Sequence, residues 1–201
     1  MEKENINKFN EKELFDAKDL RTAKIAYNDA GCYKWWARET NVELLVKGLN
    51  KISKSETIDF NEVKNRSEKQ FEKDSNSDFY CIYVGLSQNL RKRLNTHVNR
   101  TIRNSTLRKT LASVLEYYSH NNFETEIDEF IDNLKLSYIE LPNENIDKKE
   151  TELINEYFHI LNNDKNNHKL AEIYGLKNLI SEARAIAAQK NPVFLKKNKN
   201  K

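Results

Sequence analysis

Apolar and polar positions change period several times along this chain, and each change predicts an element. Phe79-Tyr80-Cys81-Ile82-Tyr83-Val84 is aromatic, β-branched or otherwise apolar without a break, the pattern of a buried strand. Gly85 is expected to let the backbone turn, and Ser87 to cap the helix that follows. In that helix, expected over 87–103, Leu90, Leu94 and Val98 recur every four residues and make a core stripe. Arg93 and His97, also four apart, share a neighbouring face and should emerge beside the strand end that carries Tyr83.

The same reading extends to the rest of the chain. Residues 3–28 form polar helical sequence anchored by Ile6, Phe9, Leu14, Phe15 and Leu20. Gly31 opens a first strand, Cys32 to Ala37, after which Asn41 caps a short helix through Val42, Leu45 and Leu49, with Gly48 marking its end. Residues 51–78 are polar and charged, with isolated Ile58, Phe60, Val63 and Phe71; they are expected to form an inserted excursion that the fold could lose. Helical spacing returns in Leu107, Leu111, Val114, Leu115 and Tyr118, and again in Ile127, Phe130, Ile131 and Leu134. Leu136, Tyr138 and Leu141 mark a third strand ended by Pro142. A helix from Asp147 through Leu161 and a last one through Leu176, Ile180, Ala183 and Ala187 precede a basic tail. The order of elements predicts a single α+β domain: a small, mostly antiparallel three-stranded sheet flanked by helices.

Composition narrows the class. At 201 residues the chain can bury a full core, and 32% charged residues with only four Gly describe a solvated helical surface. No apolar run approaches a membrane span, and Met1-Glu2-Lys3-Glu4-Asn5 lacks the basic-then-apolar order of a secretion signal, so a cytoplasmic location is expected. Cys32 and Cys81 fall in predicted strands, where cysteine acts as a small buried apolar residue. They are too few for a four-ligand structural zinc site, and His97, His120, His159 and His168 show no ligand-like spacing.

A net charge of +3 says little, but its distribution says more. Residues 79–115 contain no Asp or Glu while Arg91, Lys92, Arg93, Arg100, Arg103, Arg108 and Lys109 are basic; residues 116–152 then hold eleven acids against three lysines. A basic block beside Tyr83 and His97 is what a phosphate backbone requires, although a solvated basic helix has the same composition. Glu150 stands three and four residues before Leu153 and Ile154, at the head of an apolar stripe, where a carboxylate needs a cation. An acid favouring a helix N-terminus is the plainer reading of it.

Four segments together resemble the GIY-YIG nucleases. Tyr83-Val84-Gly85 is similar to the second half of the name motif and Gly31-Cys32-Tyr33 to the first. Asn89-Leu90-Arg91-Lys92-Arg93, with His97 beyond it, resembles the family's basic helix, and Glu150 with Leu153, Ile154, Leu161 and Asn162 its glutamate helix and closing asparagine. The chain departs from the family in Cys32 for an aliphatic residue, in Leu86 where some members carry lysine, and in the forty-nine residues between Tyr33 and Tyr83 where the family has a short hairpin.

The resemblance implies a divalent-metal-dependent DNA endonuclease. Tyr33 would orient water or phosphate, and Tyr83 or His97 would accept the proton of the attacking water. Arg93 would neutralise transition-state charge, Glu150 would hold Mg²⁺ or Mn²⁺, and Asn162 would tie the glutamate helix to the site. Arg91, Lys92, Arg100, Arg103, Arg108 and Lys109 would dock the DNA backbone. Two other readings stay open: an idle nucleic-acid-binding module of the same fold, and an interaction subunit using the acidic segment. The biological role, whether restriction, homing, repair or phage defence, is equally open.

Overall fold

The computed structural model describes residues 14–21, 30–53, 58–65, 71–99 and 101–195. Its centre is an antiparallel sheet of four strands, β1 (Phe15–Asp16), β2 (Gly31–Arg38), β3 (Phe79–Ser87) and β4 (Lys135–Glu140), in the order β1-β4-β2-β3. Three strands were expected; the fourth is the two-residue β1, which pairs Phe15 with Leu136 and is too short to show a period. The helical reading of 3–28 fails over its described part, since β1 runs into a 3₁₀ turn at Ala17–Arg21; residues 3–13 and 22–28 of that reading lie outside the described residues.

Among the described residues eight α-helices accompany the sheet: α1 (Glu39–Ile52), α2 (Phe60–Asn65), α3 (Leu90–Asn99), α4 (Thr106–Val114), α5 (Phe123–Asp132), α6 (Ile146–Glu156), α7 (Lys169–Ile173) and α8 (Leu176–Lys190). The larger core lies on the face of Tyr33, Trp35 and Ile82, under α1, α3, α4, α5 and α8. A smaller one on the other face joins Cys32, Trp36, Cys81 and Val84 to Ile146, Leu153 and Ile154 of α6. Each face of a sheet must bury its apolar side chains, and two layers of helix do so here.

The described part of 51–78 is packed into the fold and is not the loose excursion expected from its charge. α1 follows β2 without a break and buries Val42, Leu45, Val46 and Leu49; Ile58, Phe60, Val63 and Phe71 are all buried as well. Four isolated apolar residues suffice because each enters a core that already exists: Phe60 and Phe71 pack on Tyr80, and Phe71 also packs on Phe158. Gly48 does not end α1. A Cβ there would lie 2.2 Å from the Val114 carbonyl oxygen, so this glycine lets α1 and α4 approach.

β3 would be a bare edge strand, with unpaired backbone groups along its outer side. Two segments cover it. Residues 72–74 bridge to it through Cys81 N–H to Glu72 O (2.8 Å) and Asp74 N–H to Phe79 O (2.9 Å), and Leu161 N–H, in the loop after α6, donates to Ile82 O (3.0 Å). α6 itself stops at Glu156, short of the expected Leu161, which frees this loop to run along β3.

Candidate active site

One irregularity in the sheet creates the site. β2 and β3 pair from Gly31↔Ser87 to Arg38↔Phe79, with a bulge where Trp35 faces Tyr83 but Trp36 faces Cys81. Ile82 is the extra residue. A bulge breaks the strict alternation of side chains, so Tyr83 stands on the face of Tyr33 and Trp35 instead of the opposite one. Tyr33 and Tyr83 then lie with ring centroids 6.3 Å apart.

Gly85 serves this pair and not a turn, because β3 continues through it to Ser87. It faces Tyr33 across the strands, and a Cβ on it would sit 2.5 Å from the phenol oxygen. Beyond the strand, the α3 cap is Asn89 and not Ser87: Asn89 Oδ1 accepts from Lys92 N–H at 2.8 Å, while Ser87 Oγ accepts from Asn89 N–H. α3 thereby points Arg93 and His97 at the two tyrosines, as their spacing predicted.

The contacts close on Tyr33. Its oxygen accepts from Arg93 Nε at 3.1 Å and lies 2.9 Å from His97 Nε2, while His97 Nδ1 lies 2.7 Å from Ser105 Oγ, which also accepts from Arg108 N–H. With Tyr33 accepting from Arg93, these contacts fit a Tyr33 hydroxyl that donates to Nε2 and an Nδ1–H that donates to Ser105. His97 is therefore a partner of Tyr33 first; its ring lies edge-on to Tyr83 with centroids 6.4 Å apart. Burial, reinforced by Arg93 and Arg108, holds the His97 pKa well below its ordinary value, so the imidazole is neutral. Burial likewise raises the pKa of both phenols, with Glu150 adding to the effect and Arg93, which bonds to both, opposing it. Tyr33 is fully buried, whereas Tyr83 keeps partial access to solvent.

Glu150 projects from the second turn of α6 with its side chain 13% exposed. Its Oε2 accepts from Lys165 Nζ at 2.9 Å, and Lys165 also pairs with Asp147. Lys165 and Glu116 are the non-glycine residues with left-handed backbone among those described. The carboxylate thus already meets a cation, as its place on the apolar stripe required, and it suits a hard divalent ion, which asks for one or two carboxylates and takes waters and phosphate oxygens besides. Asn162 does more than tie down a helix: its Oδ1 accepts from Val84 N–H and its Nδ2 donates to Val84 O, each at 2.8 Å. It completes the cover on the outer edge of β3 beside Tyr83.

The expected DNA-docking residues divide. Arg91, Lys92 and Arg103 are exposed and Lys109 is partly so, while Arg100 lies outside the described residues. Arg108 is a correction: it is 1% exposed, pairs with Asp128 at 2.7 Å and donates to His97 O at 3.3 Å. It falls on the buried side of α4, and the acids that follow it in sequence are what it pairs with. Much of the acidic block is used this way, since Asp128 and Asp132 also hold Arg21, and Glu126 lies against His120.

One basic residue was not singled out from the sequence. Arg184 of α8 donates to Thr110 Oγ1 through Nε at 3.2 Å, interacts with the Tyr83 phenol, and has its pKa lowered by burial. With Arg103, Lys109, Ser105, Asn163 and Asp164 it lines an open cleft of about 570 Å³. Its heptad-like place among Ala183 and Ala187 made it look like one polar residue of an amphipathic helix.

No curated protein and no solved structure matches the chain. Among the described residues no helix is long and apolar enough to cross a membrane. The family model of the GIY-YIG catalytic domain matches residues 31–186, most of the chain and every residue of the site, and the protein belongs to that family, with a nuclease-type function and a nucleic-acid substrate in general.

Proposed function

We propose that this protein is an endonuclease that hydrolyses phosphodiester bonds in DNA with the help of Mg²⁺ or Mn²⁺. The observation that carries the reading is the convergence of two phenols, a guanidinium and a neutral imidazole beside one bulge of the sheet, with the Glu150 carboxylate near enough to raise the pKa of both phenols. Tyr83 is the less buried residue of the pair, and it orients the attacking water. Tyr33 is buried behind it; its hydroxyl donates to His97 and its oxygen accepts from Arg93, which fixes the guanidinium. The depressed pKa of His97 makes it a hydrogen-bond acceptor that orients Tyr33 and a poor final store for a proton.

Arg93 keeps its charge, because the phenols around it offset its burial. Its planar fork can hold two oxygens of the scissile phosphate as negative charge builds there. A divalent ion held by Glu150 would supply Lewis-acid polarisation of that phosphate. Lys165 must yield Glu150 or share it, which its exposed position on the loop allows. The pairing of Lys165 with Glu150 also favours a second reading, an idle module in which the lysine permanently replaces the metal.

Nicking of supercoiled plasmid separates the two readings. The nuclease reading predicts cleavage that needs Mg²⁺ or Mn²⁺, stops with chelator, and falls about 10²-fold or more in Arg93→Ala, the loss expected for one transition-state charge donor. Salt-sensitive binding of DNA with no cleavage under any of these ions would support the idle module instead.

A further inference from the structure

On the α6 face of the sheet, away from the tyrosines, a second group of polar side chains is buried. Glu72 comes from the segment that bridges to β3, Cys81 from β3 itself and His159 from the loop after α6; a carboxylate oxygen, the sulfur and a ring nitrogen lie within 4.8 Å of one another. His159 Nδ1 lies 3.3 Å from Ile154 O, and Nε2 lies 3.5 Å from Glu72 Oε2. Both of these oxygens only accept, and a neutral imidazole has a single N–H. In either tautomer one nitrogen presents its lone pair to an oxygen lone pair, with His159 wholly buried. Neither Nε2 nor Glu72 Oε2 has a hydrogen bond.

A proton or a metal ion has to lie between them. A proton shared between the ring and the carboxylate would satisfy both atoms and leave a charged cluster buried beside Lys34. A metal ion would do the same and would also take the Cys81 sulfur, whose thiol otherwise donates to the Tyr83 carbonyl at 3.7 Å. We propose that Glu72, Cys81 and His159 bind a transition-metal ion of the zinc class, at a site separate from Glu150. The donor set is soft, one thiolate and one imidazole with one carboxylate, and selects zinc over magnesium. Tetrahedral zinc brings such atoms to about 3.3–3.8 Å of one another, so a small inward movement of the three side chains closes the site, with water as the fourth ligand.

The supporting contacts are those that ligands need. Ile154 O holds Nδ1–H and so aims the Nε2 lone pair at the site; Lys34 pairs with the other oxygen of Glu72 and also lies over the Trp36 ring. The Cys81 thiolate and the Glu72 carboxylate set two negative charges against the ion and the Lys34 ammonium, and the ion takes the place of the thiol proton. The ion would bind the two segments that cover the outer edge of β3 to the strand that carries Tyr83. Its role is structural, and it does not depend on the nuclease reading.

Metal titration of the full chain after chelator treatment tests this. One equivalent of Zn²⁺ is expected, with a rise in melting temperature, and the Co²⁺ form should show thiolate-to-metal charge-transfer absorption. Both should persist in Glu150→Gln and Cys32→Ser and be lost in Cys81→Ser and His159→Gln. The cobalt spectrum of the unaltered protein decides the matter even if those last two variants fail to fold. Absence of the thiolate band, or zinc binding unchanged in a folded Cys81→Ser protein, would overturn the proposal and leave the proton shared between ring and carboxylate.

Discussion

Two histidines, His97 and His159, are both completely buried, one against each face of the same sheet, and they differ in what they touch. His97 sits between a hydroxyl that can donate and a hydroxyl that can accept, so one neutral ring satisfies both neighbours. His159 sits between two oxygens that can only accept, so no neutral ring satisfies both. Equal depth therefore does not mean equal partners. The first histidine is a neutral bracket for Tyr33, kept so by its burial with Arg93 and Arg108 adding to the effect; the second needs a proton or a metal ion beside it.

The largest effect that would break this contrast is steric. Gly85→Ala places a methyl 2.5 Å from the Tyr33 phenol and should push that ring off both His97 and Arg93. Overpacking of this kind costs about 1–3 kcal/mol, and activity should fall more than stability does. Thermal melts and cleavage rates on one preparation check it; a fully active Gly85→Ala protein would mean that Tyr33 need not stand where it does.

Arginines sharpen the comparison next. Arg108→Ala removes a buried cation from Asp128 and from the carbonyl of His97, and should destabilise the fold by about 1–2 kcal/mol, since Asp128 is partly exposed and keeps Arg21. Arg91→Ala should leave melting unchanged and lower the salt dependence of DNA binding by about one charge. Equal salt slopes in the two variants would contradict the division between internal and docking cations.

A smaller effect follows from pH. Because the folded-state pKa of His97 is depressed, the unfolded chain binds a proton there that the folded chain refuses. Stability from this source is full above the ordinary histidine range and declines as pH falls below about 6.5. Replacing His97 by Gln should flatten that decline in melting temperature between neutrality and about pH 5. If the decline keeps its slope, His97 is not its source.

Much of this was legible in the sequence where the information is local. The 3.6-residue period placed Arg93 and His97 on one face of α3, and the uninterrupted apolar run of 79–84 marked β3. What escaped depends on partners distant along the chain. A bulge between Trp35 and Trp36 carries no composition of its own, yet it decides that Tyr83 joins Tyr33. Phe60 and Phe71 looked too sparse to build a core because the core they enter is built by others. Arg108 looked like its basic neighbours because its partner, Asp128, is on another helix. Glu72, Cys81 and His159 have no ligand spacing, since three separate segments bring them together. Asn162 was readable as a residue to watch, but its double bond to Val84 depends on α6 ending at Glu156.

Glu150 bears most directly on the central claim, that the tyrosine face is a metal-assisted nuclease centre. Glu150→Gln keeps the shape of the side chain and removes the charge that Lys165 now holds. Single-turnover cleavage of a labelled duplex with Mg²⁺, with binding measured in parallel, is expected to show unimpaired binding and a cleavage rate lower by about 10²-fold or more. Cleavage by the Gln variant at the unaltered rate would contradict the account.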